Sequence, residues 1–149
     1  GDLNDGPEQH GVEQAEIKEN ILRLLDTTTF NLILTHSLFG EYTRHRRHEE
    51  IGTAVLDLWL TGALRAKQLW MFAYDDTRTA GQPKAVKNAH RLVSLPESIW
   101  KEKQRIITEV YGFGHHQFEA IAAAKEEAFW IFSCPEDVPT WLSHQGGRA

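Results

Sequence analysis

The chain has 149 residues, a formal net charge of −5, and 41% hydrophobic and 25% charged residues, which fits one globular domain rather than a disordered chain. No apolar run approaches the roughly 20 residues needed to span a bilayer, so no membrane contact is expected. The acidic balance argues against a general nucleic-acid binder, whose footprint is a basic surface. Cys134 is the single cysteine, which rules out an internal disulfide and points to a reducing, cytoplasmic setting.

The opening GDLNDGPEQHG is rich in Gly, Asp, Asn and Pro and reads as a loop without the features of a secretory signal. Ile17, Ile21, Leu22, Leu24 and Leu25 follow a helical face between Val12 and Leu25. FNLILTH, residues 30–36, is short, apolar and bounded by polar residues, which predicts a buried, central strand. A loop with Gly40 leads to a second helix from about Arg46 to Leu60, stopped by Gly62. KQLWMFAY, 67–74, predicts another strand, followed by a polar loop over 75–90 and a short strand at RLVSL. Pro96 opens a third helix that ends at Gly112, with Ile99, Ile106, Ile107 and Val110 on its apolar side. A fourth helix over Gln117–Lys125 and an edge strand at AFWIFSC, 128–134, complete a domain over 1–134; residues 135–149 read as a polar tail. Helices alternating with strands predict an α/β fold with parallel pairing, in which ligands bind beyond the carboxyl ends of the strands.

That is where THSLFGEYTRHRRHEE, residues 35–50, falls. It packs three histidines and three arginines into sixteen positions. Two histidines three apart at a helix start are commonly exposed polar residues, but three features set His45 and His48 apart. They follow a strand at its carboxyl end. Residues i and i+3 share a helix face, so both imidazoles can approach one point. Arg44, Arg46 and Arg47 crowd a helix N-terminus, which disfavours cations by about 0.3–1 kcal/mol, and an anionic ligand or facing carboxylates would offset that cost. Two histidines alone do not make a catalytic zinc site, which takes three protein ligands and an open position.

GEYTRHRRH after a strand ending in Thr-His resembles the second signature of the PIG-L/LmbE family of zinc-dependent N-deacetylases, and GDLNDGPEQ resembles the Asp-Gly loop of the same proteins. The likeness runs from the first residue to about Tyr74 and more loosely beyond. It implies a Rossmann-like three-layer α/β/α fold with a mostly parallel sheet, one Zn2+, and hydrolysis of the acyl group from an N-acyl amino sugar or similar amine. By that resemblance His48 is the metal ligand and His45 the catalytic histidine that stabilises the oxyanion and protonates the leaving amine. Asp5, Tyr42, Arg44 and Arg47 are expected to bind substrate.

Two departures qualify the carry-over. The family's His-Pro-Asp-Asp-Glu signature, which supplies the other metal ligands and the aspartate base, is absent, and no His-Pro pair occurs anywhere. The sheet is therefore expected to lack its leading strands, and the chain, read as part of a longer protein, to be inactive alone. Arg46-Arg47 also replaces the Pro-Asp of many members, so support for the histidines must come from another group, with Glu49 or Glu50 the nearest candidates. Asp75, Asp76 and the His115-His116 pair read more simply as surface residues, and His36 either as part of the pocket floor or as a hydrogen-bonded structural histidine. Five tryptophans and seven phenylalanines imply apolar surface that a further segment or another subunit covers, and a homo-oligomer is expected. The alternative from another class is a non-catalytic α/β module that holds an anionic ligand or partner at the arginine-rich helix start. A nucleotide-binding enzyme is disfavoured, since no G-x-G-x-x-G turn follows a strand.

Overall fold

A computed structural model of the chain describes residues 8, 10–41, 45–75 and 83–145. The first helix, α1 (Gln14–Leu24), buries only Ile17 and lies on α2 (Arg46–Leu60). Lys18 Nζ meets Asp57 at 2.8 Å, and Val12 N–H donates to Glu50 Oε1 at 3.2 Å. Between the two helices runs β1 (Thr29–Thr35). α2 presents Val55, Leu56, Leu58 and Trp59 to the core at the 3–4-residue spacing of one helix face. β2 (Arg65–Phe72) then returns parallel to β1, with Ile33 opposite Leu69 and Thr35 opposite Met71.

Of the remaining strands of this sheet, one runs against this direction. β3 (Tyr74–Asp75) and β4 (Lys84–Ala85) form a small separate antiparallel pair inside what the composition reads as a polar loop. Ala85 and Val86 there reach the core. β5 (Arg91–Ser94) and β6 (Glu126–Phe132) pair antiparallel, as do β6 and β2. The sheet order is β1-β2-β6-β5. The α/β class is as expected, but the sheet is mixed, with one parallel and two antiparallel pairings, rather than mostly parallel. The cause is local. Ser94, at the end of β5, pairs with Glu126, at the start of β6, and Leu95 N–H donates to the Lys125 carbonyl at 2.8 Å. The intervening helices leave and rejoin the sheet at the same end, which forces an antiparallel return. Paired with β2 on one side and β5 on the other, β6 is an interior strand, not the expected edge.

β1 is the edge strand instead of a buried central one. Its alternation sends Ile33 to the core, while Leu32 and Leu34 stay 46% and 50% exposed on the other face. The core sits on the first face, where Leu69, Met71 and Phe132 are fully buried under α2 and α5 (Asp137–His144). α5 occupies the stretch expected to be a polar tail. It is anchored because Val138 and Trp141, three residues apart, share a face, and Trp141 packs edge-on to Phe132 at 5.1 Å.

The third helix, α3 (Glu97–Arg105), continues as a π-helical turn (Ile106–Val110) and stops at Gly112, whose φ of 78° lies in the left-handed region. No residue of α3 or the turn is buried; the expected apolar side is exposed at Ile99, Ile106 and Val110. Polar ties hold α3 in place. Trp100 Nε1–H donates to the Ala123 carbonyl at 3.2 Å, and Gln104 Nε2–H to the Ala120 carbonyl of α4 (Phe118–Ala122) at 3.1 Å. No helix among the described residues is long and apolar enough to cross a membrane.

Candidate metal centre

The carboxyl end of β1 delivers His36 to the sheet's second face, and a turn with Gly40 in the left-handed region (φ 75°) carries the chain back to place Glu41 beside it. α2 then brings His48 to the same point in its first turn. A close approach makes this possible. A Cβ on Gly52 would lie 2.7 Å from the His36 carbonyl oxygen and 2.9 Å from that of Ser37, so only glycine lets α2 rest on the backbone that carries His36. Alanine is the better helix former by about 0.8–1 kcal/mol, but both colliding atoms are backbone and cannot swing aside. Gly52→Ala is therefore expected to cost a net 1–2 kcal/mol or about that, the lower part of the overpacking range, and to separate His48 from His36. Urea unfolding checks the first effect, and zinc affinity the second.

Glu41, 4% exposed, joins the two histidines. Its Oε1 lies 2.7 Å from His36 Nδ1 and 3.3 Å from the Ser37 amide nitrogen, and its Oε2 lies 2.6 Å from His48 Nδ1. The two imidazoles stack, with centroids 4.0 Å apart and planes 11° from parallel. Burial works to raise the Glu41 pKa, but hydrogen bonds and charge from His36 and His48 overcome it and hold the group at about 2, against an ordinary 4.5. An ionised carboxylate only accepts, so each Nδ1 carries the shared proton and the lone pair of a neutral ring sits on Nε2. Neither Nε2 has a hydrogen-bond partner among the described residues.

This arrangement makes stability depend on acid. Because the folded pKa is depressed, the folded chain binds fewer protons than the unfolded one below pH 4.5. The stabilisation is complete above that pH and is lost as pH falls from 4.5 through about 2. Urea midpoints of the metal-free chain, followed by tryptophan fluorescence, should fall across that window, and more steeply than those of Glu41→Gln.

His36, Glu41 and His48 each offer a ligand atom, and these atoms lie within 4.8 Å of one another. The group could hold a metal ion. With the Glu41 oxygens bound to both Nδ1 atoms, His36 and His48 would each offer Nε2, and imidazole nitrogen is an ordinary zinc donor, so the chemistry of the residues fits the ion. His45, the residue before α2, places its ring 4.6 Å from that of His48, so the i, i+3 pair does converge. Arg47 is buried and turned elsewhere: it pairs with Glu50 and donates to the His10 carbonyl at 3.2 Å. Arg46 also faces Glu50, at 3.3 Å. The Glu50 carboxylate thus faces two of the cations crowded at the helix start. Asp5, Tyr42, Arg44 and Asp76 lie outside the described residues. Asp75 pairs with Lys84 in β3–β4, and His115 and His116 are exposed.

A cavity of about 310 Å³ opens on this cluster. His36, Glu41 and His48 line it together with Phe72, Phe129, Tyr74, Lys103 and Glu127. Glu41, Gly52, Lys103 and Glu127 escape a reading of the sequence. The group that supports the histidines is Glu41, not Glu49 or Glu50. It lies in the turn before α2, where no helix or strand period relates it to His36 or His48, and the only signal for it is its place between two histidines in a turn. Comparisons with protein-family models, with curated proteins and with solved structures find no match to this chain.

Proposed function

We propose that this site belongs to a metal-dependent amide hydrolase that removes an acetyl or other acyl group from the amine of an amino sugar or a similar N-acyl substrate. The observation that carries the proposal is the buried Glu41 carboxylate joined to Nδ1 of both His36 and His48, which leaves both Nε2 atoms to bind an ion. A carboxylate behind a ligating histidine fixes its tautomer and raises its basicity. His48 and His36 would hold the ion through Nε2. Zinc in such a site lowers the pKa of bound water toward about 7 and polarises a carbonyl.

His45, whose ring lies against that of His48, would hold the developing oxyanion and pass a proton to the departing amine. The proton-accepting aspartate of the family that GEYTRHRRH resembles has no counterpart in these 149 residues, and the proposal assigns that step to none of them. A Rossmann-like three-layer arrangement goes with the proposal, and the parallel β1–β2 pair would be its contribution to the sheet. An anion-binding module is the less supported reading, because Glu50 already faces Arg46 and Arg47.

The test uses the full-length gene product. Stoichiometric zinc and zinc-dependent release of acetate from N-acetylglucosamine are expected, with loss of both in a chelator. Full zinc occupancy without amide cleavage would overturn the hydrolase reading, and absence of zinc would overturn the metal site.

A further inference from the structure

The cavity has a second polar pole. Glu127, on β6, lines it with a side chain 14% exposed. Its Oε1 accepts from Lys103 Nζ at 2.6 Å, and its Oε2 accepts from the Tyr74 hydroxyl; both donors also line the cavity. A carboxylate has about four lone-pair positions, so the two ties leave capacity for another donor.

Strand order fixes where this pole lies. His36 follows the end of β1, Phe72 ends β2, and Phe129 and Glu127 are on β6, the next strand along. Phe72 pairs directly with Phe129, and Glu127, two residues earlier, shares that strand face. The Phe72 and Phe129 rings lie 5.6 Å apart. From His36 to Glu127 is thus two inter-strand spacings across the sheet and two residues along β6, about 12 Å between backbone positions, with an aromatic floor between.

We infer that Glu127 is the specificity-determining residue of this site: it selects ligands that carry a hydroxyl or ammonium donor one saturated ring away from the acyl group held at His36 and His48. The inference rests on the reading of the site as one for N-acyl substrates. Phe72 and Phe129 take the C–H face of the ring, and Glu127 accepts from the donors on its far side. Lys103 and Tyr74 are positioning residues. They fix the carboxylate between α3 and β3, so a ligand meets it already oriented.

Calorimetric titration of the zinc-loaded full-length protein with two probes tests this. N-Acetylglucosamine and N-cyclohexylacetamide share the acetamide and the six-membered ring, and only the first carries hydroxyls. Wild type is expected to prefer the first by about tenfold or more, the range of one hydrogen bond to a charged acceptor. Glu127→Ala should erase that preference by weakening the first probe alone. Glu127→Gln, near in shape and retaining one acceptor oxygen, should keep part of it. Thermal melts identify which variants are folded, and the ratio between probes is a readout that loss of a merely structural tie would not move. No binding of either probe by wild type, no preference in wild type, or equal weakening of both probes in a folded variant overturns the inference. A Glu127-dependent preference without acetate release keeps it and removes the hydrolase reading; acetate release without such a preference does the reverse.

Discussion

Glutamine at position 41 is expected to lower zinc affinity by about 10- to 100-fold, the usual effect of removing a carboxylate behind a metal-binding histidine. Glu41 accepts from three donors: His36 Nδ1–H, His48 Nδ1–H and the Ser37 amide. The amide side chain keeps one acceptor oxygen and brings two N–H donors of its own. At least one imidazole then faces donor against donor and must move its proton to Nε2, the atom a metal needs. The neutral amide also accepts more weakly than the carboxylate from the donors that remain, which costs about 1 kcal/mol of stability. Zinc titration and urea unfolding of Glu41→Gln read the two effects separately. Wild-type zinc affinity in a folded variant would show that the carboxylate does not set the tautomers.

The second large effect is kinetic. In the zinc-loaded full-length protein, His45→Ala should lower turnover by about 10²–10⁴-fold, the contribution of a positioned general acid, with zinc content unchanged. The two outcomes separate because His45 contacts the ring of His48 but is not among the three residues that offer ligand atoms. KM should stay nearly constant, since proton delivery to the leaving amine belongs to the transition state. Loss of zinc together with turnover would make His45 a ligand, and unchanged turnover would remove it from the chemistry.

What the sequence disclosed and what it hid divide along a physical line. Helical spacing located α1 and α2 to within two residues at each end, and i, i+3 spacing brought His45 and His48 together. These are local properties of one element. The place of a strand in the sheet is not local. FNLIL is as apolar as an interior strand, yet β1 is an edge, because burial depends on which strands arrive beside it. The direction of β6 was hidden for the same reason, being set by where the α3–α4 excursion rejoins the sheet. α5 was missed because its two core contacts, Val138 and Trp141, are sparse among polar residues. At the site, His48 was legible from its partner on the same helix. Glu41 and Glu127 were not, since one acts across a turn and the other across three strands of chain order that no spacing records.

The way α3 is attached has a consequence for entry to the cavity. Its grip on the rest of the protein is a handful of side-chain contacts, to carbonyls, to the Glu127 carboxylate and to Lys125, with no buried apolar residue of its own behind them. Such a segment detaches at a free-energy cost well below that of global unfolding, and its amides should exchange with solvent deuterium long before those of β2 and β6. Lys103 travels with it. The wall carrying the ammonium is thus a hinged panel, while the histidines stand on the rigid frame.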